Sequence, residues 1–240
     1  MDALTRHRPY FAFTITLHHP GRTCPAPLSS RYTRSVVATA KSLYGVHPSV
    51  AMTRQWAASL KEKTGRSLEE WLKLVKKSGP PTEKERRAWL KSEHGLPTMS
   101  AWRIAERADG KGGEMGDPET YLRAAERFVV AMFTGKAALR PTYDALLKFG
   151  LGLGKDVKAC PCQTMVPLYR QHVFAQIKPT TRTRIDLGFA LGARPAERRL
   201  IDTGGYAKKD RITHRIPISS LAEIDDEVKQ WLRTAFEEDR

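Results

Sequence analysis

The chain has 240 residues, 40% of them hydrophobic and 28% charged, which is ample for one large core or two small ones. Its 41 Lys and Arg against 26 Asp and Glu give a formal charge of +15, which points to polyanionic partners. Three cysteines are too few for a disulfide framework, and no apolar run reaches the roughly 18–20 residues of a membrane span, so a cytoplasmic protein with no membrane partner is expected.

Residues 1–51 lack apolar periodicity, are rich in Pro and Ser, and hold one acid, Asp2. They read as a disordered leader, or as sequence upstream of a start at Met52, which directly precedes the first patterned helix. An acid-poor leader of this kind also resembles an organelle transit peptide. Either way, the fold is expected to begin at Met52.

Residues 52–109 read as a small all-helical module. Trp56, Trp71, Trp89 and Trp102 fall in successive segments separated by Gly65, Gly79 and Gly95, and the indoles are expected to form its core. Ser67 with Glu70, and Thr82 with Glu85, have the spacing of capping boxes. Leu68, Trp71, Leu72 and Val75 share one helical face, and Gly79 and Gly95 are expected to be left-handed stops. The runs at 56–71, 75–79 and 89–96 resemble the bacterial family called domain of unknown function 4287. Members continue after Gly95 and Leu96 with a His- and Gly-containing stretch; this chain instead runs from Pro97 through Met99 to Trp102.

Four Gly and one Pro within 110–118 predict a linker without regular structure. Beyond it, 119–240 is expected to be a second domain, opening with helices over 121–133 and 141–149. The apolar period then falls from 3.6 to 2. Val173, Ala175 and Ile177 alternate with Phe174, Gln176 and Lys178, and Ile185, Leu187, Phe189 and Leu191 alternate with Arg184, Asp186 and Gly188. Ile212, His214, Ile216 and Ile218 form a later strand, and an apolar stripe from Leu221 through Ile224, Val228 and Leu232 to Ala235 predicts a covering helix. The fold class is α+β: the helical module, then an antiparallel sheet packed against helices. Tyr143, Leu146, Gly154 and Val157, with the strands at 173–175 and 184–188 and the segment 221–232, resemble a second family, domain of unknown function 5655. Its relatives look like appendages to other domains, nuclease-like ones included, and a transport label has been attached to some. The resemblance implies structural motifs rather than catalytic ones.

Specific chemistry is sparse. Cys160 and Cys162 could bind zinc only with a second pair of ligands, which the chain lacks, so they are expected to be core thiols. The glycines at 150, 152 and 154 before Lys155 lack the flanking residues of a phosphate loop and read as a helix end. The stretch from Leu200 to Gly204 is similar to half of a retroviral-type aspartic protease site, which makes an Asp202-dependent hydrolase the alternative ranked last; a turn is the simpler reading. His214 alternates with isoleucines and reads as a core residue. No catalytic residue, metal or cofactor is expected, and the oligomeric state is left open.

The basic residues remain. Residues 155–215 hold 13 basic and 5 acidic side chains, whereas 216–240 hold 3 and 7. Lys178, Arg182, Arg184, Arg194, Arg198, Arg199, Lys208, Lys209, Arg211 and Arg215 crowd the strands and their turns. They are expected to bind nucleic acid or another polyanion without reading sequence. The alternative is a small-ligand or accessory interaction domain with a pocket between the sheet and the last helix.

Overall fold

The computed structural model describes residues 42–239; the first 41 residues of the leader expected over 1–51, with Cys24, lie outside them. The first helix, α1 (Pro48–Thr64), starts four residues before Met52. His47 caps it: its Nδ1 accepts the Ser49 N–H at 3.1 Å, and Pro48 supplies the fixed φ of a first turn. Val50 is buried against Tyr121 and Ala125, with Tyr44 and Val46 packed around them. Residues 44–50 therefore belong to the packed body, and the boundary expected at Met52 moves upstream.

Three further helices complete the module: α2 (Leu68–Ser78), α3 (Glu83–Ser92) and α4 (Thr98–Ala108). Both capping boxes form, with Ser67 and Thr82 accepting from the amides of Glu70 and Glu85. Gly95 is left-handed as expected, at φ 64°, but Gly79 is extended at φ −78°. Close approach explains the second glycine, because a Cβ there would lie 2.6 Å from the Val75 carbonyl oxygen. Leu60, Trp71, Val75, Leu90, Leu96 and Ile104 form the core, with Trp56 and Trp89 half-buried against it. The Trp71 and Trp56 indole N–H groups donate to Thr64 Oγ1 and Ser100 Oγ at 2.8 and 3.1 Å. Trp102 stands outside this core, contrary to the expectation for all four indoles.

The glycine-rich segment is packed rather than loose. It makes one 3-10 turn, Gly113–Met115, and Asp117 then caps α5 (Pro118–Met132) by accepting the Thr120 N–H at 3.0 Å. The first half of α5 packs on Val50 through Tyr121 and Ala125, and its second half enters the larger core through Val129 and Met132. After α6 (Arg140–Leu151) come β1 (Lys158–Ala159), β2 (Val166–Tyr169), β3 (Val173–Lys178), β4 (Ile185–Phe189), β5 (Ile201–Asp202) and β6 (His214–Ile218), then α7 (Asp226–Glu238). Their order is β1-β2-β3-β4-β6-β5, and every pairing is antiparallel. The fold is α+β, with α5, α6 and α7 covering one face of the sheet.

Ile185, Leu187 and Phe189 point into that covered face as their alternation predicts. Strand β3 differs. Leu168 pairs with Ala175 but Tyr169 pairs with Val173, so a bulge shifts the phase. Phe174 is thereby buried against Phe236 of α7, ring centroids 5.7 Å apart, while Val173 joins Gln176 and Lys178 on the open face. Ile212 precedes β6 and lines the same open face instead of sharing the inward side of His214. After α7, Asp239 is buried and accepts the Gln171 and His172 amides at 3.0 and 2.9 Å and Arg211 at 2.5 Å. This clasp ties the C-terminal segment to the β2–β3 turn.

Candidate functional site

The ten basic residues singled out divide into two groups. Arg184 and Arg215 both hold Asp186, at 3.0 and 2.9 Å, on the open side of the sheet. Arg199 is held by Asp225 at 2.6 Å, Arg194 by Glu238, and Arg211 by Asp239. Their charge is partly spent on the protein's own carboxylates. Lys178, Arg182, Arg198, Lys208 and Lys209 form no ion pair with a described residue. The ten do not converge on one patch: Arg194 lies over Trp231 of α7, and Arg199 sits at the N-terminus of that helix.

What converges is a subset on the open face. Lys178, Arg211 and Arg215 line a groove of about 510 Å³ with Gln176, Asp186 and Ile212. A neighbouring hollow shares Asp210 and Arg211 with it and adds Lys209 and Tyr206, whose ring is 62% exposed. Arg182 stands in the β3–β4 turn at the end of the same strands.

The other candidates are locally satisfied. Asp202 is exposed on β5 and accepts the Gly204 N–H at 2.7 Å, while Thr203 donates to the Thr213 carbonyl at 2.8 Å, which makes the Asp-Thr-Gly stretch an Asx turn. His214 is buried. Its Nε2 faces the Arg194 carbonyl oxygen at 2.8 Å, which can only accept, so the proton sits there and Nδ1 takes the Thr213 hydroxyl at 2.8 Å. Cys160 is buried and burial pushes its thiol up to about 12; burial also raises Cys162, so both thiols are held in the neutral form. Among the described residues no cluster of His, Cys, Asp and Glu could hold a metal ion. No described helix is long and apolar enough to cross a membrane.

The space between sheet and α7, where a pocket was expected, is packed with the buried side chains of Phe174, Phe189, Val228, Leu232 and Ala235. A groove of about 660 Å³ lies instead between α6 and α7, floored by Phe149, Leu153, Leu221 and Ile224 and rimmed by Lys148, Lys229 and Arg233. A fourth hollow, of about 300 Å³, opens in the helical module beside Trp56 and Trp102. Nothing in the chain's motifs marked it, although its wall includes Trp102, at the end of the stretch that departs from the family pattern.

Two family matches accompany this geometry. Residues 53–109, which carry the four module tryptophans, match the family described as Domain of unknown function (DUF4287). Residues 129–239, from the second half of α5 through the sheet to α7, match Domain of unknown function (DUF5655). No curated protein and no solved structure matches the chain.

Proposed function

We propose that the chain is a non-catalytic binding protein that holds the phosphate backbone of single-stranded nucleic acid across the open face of its sheet. The observation that carries this reading is the pairing of a cation-lined groove with an exposed aromatic ring. Lys178, Arg211 and Arg215 line the groove, and Tyr206 stands beside it with Lys209 in the neighbouring hollow. Cations track phosphates while an exposed ring stacks a base, and neither needs a particular sequence. The net charge of +15 adds long-range attraction.

Fluorescence anisotropy with labelled mixed-sequence DNA and RNA strands, between 50 and 200 mM salt, tests it. Binding should weaken as salt rises, and the triple variant Lys178→Ala/Lys208→Ala/Lys209→Ala should flatten the log–log salt slope by about 2, at roughly 0.7 for each phosphate no longer neutralised. Absence of binding at low salt, or an unchanged slope in the triple variant, would overturn the proposal.

A second reading, as an accessory interaction domain, is favoured by the α6–α7 groove, where Leu221 is 53% exposed on an apolar floor beneath a cationic rim. That chemistry suits a partner surface carrying apolar and acidic side chains.

A further inference from the structure

The 300 Å³ cavity in the helical module is walled by α1, α4 and the segment after α4. It is at the small end of the roughly 300–1,000 Å³ range of ligand pockets. Two indoles line it, those of Trp56 and Trp102, with four charged groups: Arg103, Glu106, Arg107 and Glu114. All four are half-buried, yet none forms an ion pair with another described residue. Charged neighbours in the same module behave differently, since Arg86 holds Asp109 and Arg87 holds Glu83.

Half-buried charges outside any close ion pair are costly, and here two of each sign share one cavity wall. Burial, and then the Glu114 and Glu83 carboxylates, push Glu106 above the usual carboxylate range against the opposing pull of Arg107 and Arg87, so a cation placed between Glu106 and Glu114 would be favoured. A simple cation would meet two guanidinium groups, and a simple anion would meet two carboxylates. A small molecule carrying one charge of each sign satisfies both pairs. Arg103 lies over the Trp56 ring at 5.2 Å, which leaves Trp102 as the apolar wall for the rest of the ligand. Trp102 lies outside the module's apolar core.

We infer that this cavity binds a free α-amino acid: Glu106 and Glu114 receive its ammonium, Arg103 and Arg107 its carboxylate, and Trp102 packs against its side chain. The site is separate from the sheet face, and oligonucleotide binding does not depend on it.

Calorimetric titration of the full chain with each of the 20 amino acids, followed by tryptophan fluorescence, tests the inference. At least one should bind saturably with Kd below ~10 mM. Its N-acetyl derivative lacks the ammonium and its methyl ester lacks the carboxylate, so each should bind at least tenfold more weakly. Glu106→Gln should cause a similar loss without lowering the thermal midpoint, since Glu106 makes no ion pair that folding relies on. Trp102→Leu should reduce the fluorescence response, the remainder coming from Trp56, while leaving the core intact. If no amino acid binds, or the N-acetyl form binds as well as its parent, the inference is wrong.

Discussion

Starting the chain at Met52 should cost it much of its stability. Val50 is 1% exposed, and burying a valine side chain stabilises by roughly 1.5–3 kcal/mol. Loss of His47 removes an N-cap, about 1 kcal/mol. Tyr44 Oη sits 3.3 Å from the hydroxyl of Tyr143, a fully buried side chain, and losing that partner costs about 1–3 kcal/mol. Together these come to about 4–7 kcal/mol, against the roughly 5–15 kcal/mol that stabilises a whole domain. Urea unfolding of residues 42–240 and 52–240, followed by far-ultraviolet circular dichroism, compares the two directly. At a slope of about 2–3 kcal/mol per M, the midpoint should fall by about 2 M. Val50→Ala in the longer chain should reproduce about 2 kcal/mol of the loss, through its buried methyls. Equal midpoints for the two chains would refute the claim that residues 44–50 are part of the fold.

Two other outcomes follow from single side chains. Burial lowers the pKa of His47, and its Nδ1 must stay unprotonated to accept from Ser49, with Nε2 paired to Tyr169 Oη at 3.2 Å. Because the folded value lies below the unfolded value of about 6.5, the unfolded chain takes up the proton first. The His47 contribution is therefore complete above about pH 6.5 and is lost as pH falls toward the folded value; His47→Asn, which keeps a capping oxygen, should flatten the stability curve between pH 7.5 and 5.5. Asp239→Ala should destabilise by about 2–3 kcal/mol, since it strips two backbone amides and Arg211 of their acceptor. Arg211→Ala should lower the thermal midpoint too, and an equal midpoint in either variant would show that the clasp contributes nothing.

Local grammar makes the helices of 52–109 readable, because a capping box and an apolar stripe are written within one turn of each other. The inward set on β4 is equally plain. Strand β3 departs from its alternation because its bulge depends on Tyr169 in a neighbouring strand, and β2 is hidden by Pro167, a residue that argues against a strand interior. The start of α1 is hard to see because its cap is a histidine rather than Ser, Thr, Asp or Asn. For the basic residues the obstacle is long-range pairing. Asp239 lies 28 residues from Arg211 and Asp186 lies 29 from Arg215, so nothing near either arginine shows that a carboxylate already holds it. Trp102 reads as core because periodicity places a side chain on a helix face without saying whether a neighbour covers that face.

Both margins of the sheet are two-residue strands, β1 and β5. Beside β1, Gly45 donates its N–H to the Ala159 carbonyl at 2.9 Å, and only a glycine passes so close, since a Cβ there would meet that of Lys158 at 2.8 Å. Beside β5, the Asx turn at Asp202 ends the strand after its second residue. An extended segment from another molecule would find almost no free ladder to extend beside β1, and beside β5 only the last three residues of β6, where Pro217 has no N–H to donate. Runaway stacking of sheets, the usual hazard of exposed β structure at high concentration, has little purchase here. Among the described residues, the helices and the flat of the sheet are the surfaces left for copies of this protein to meet through.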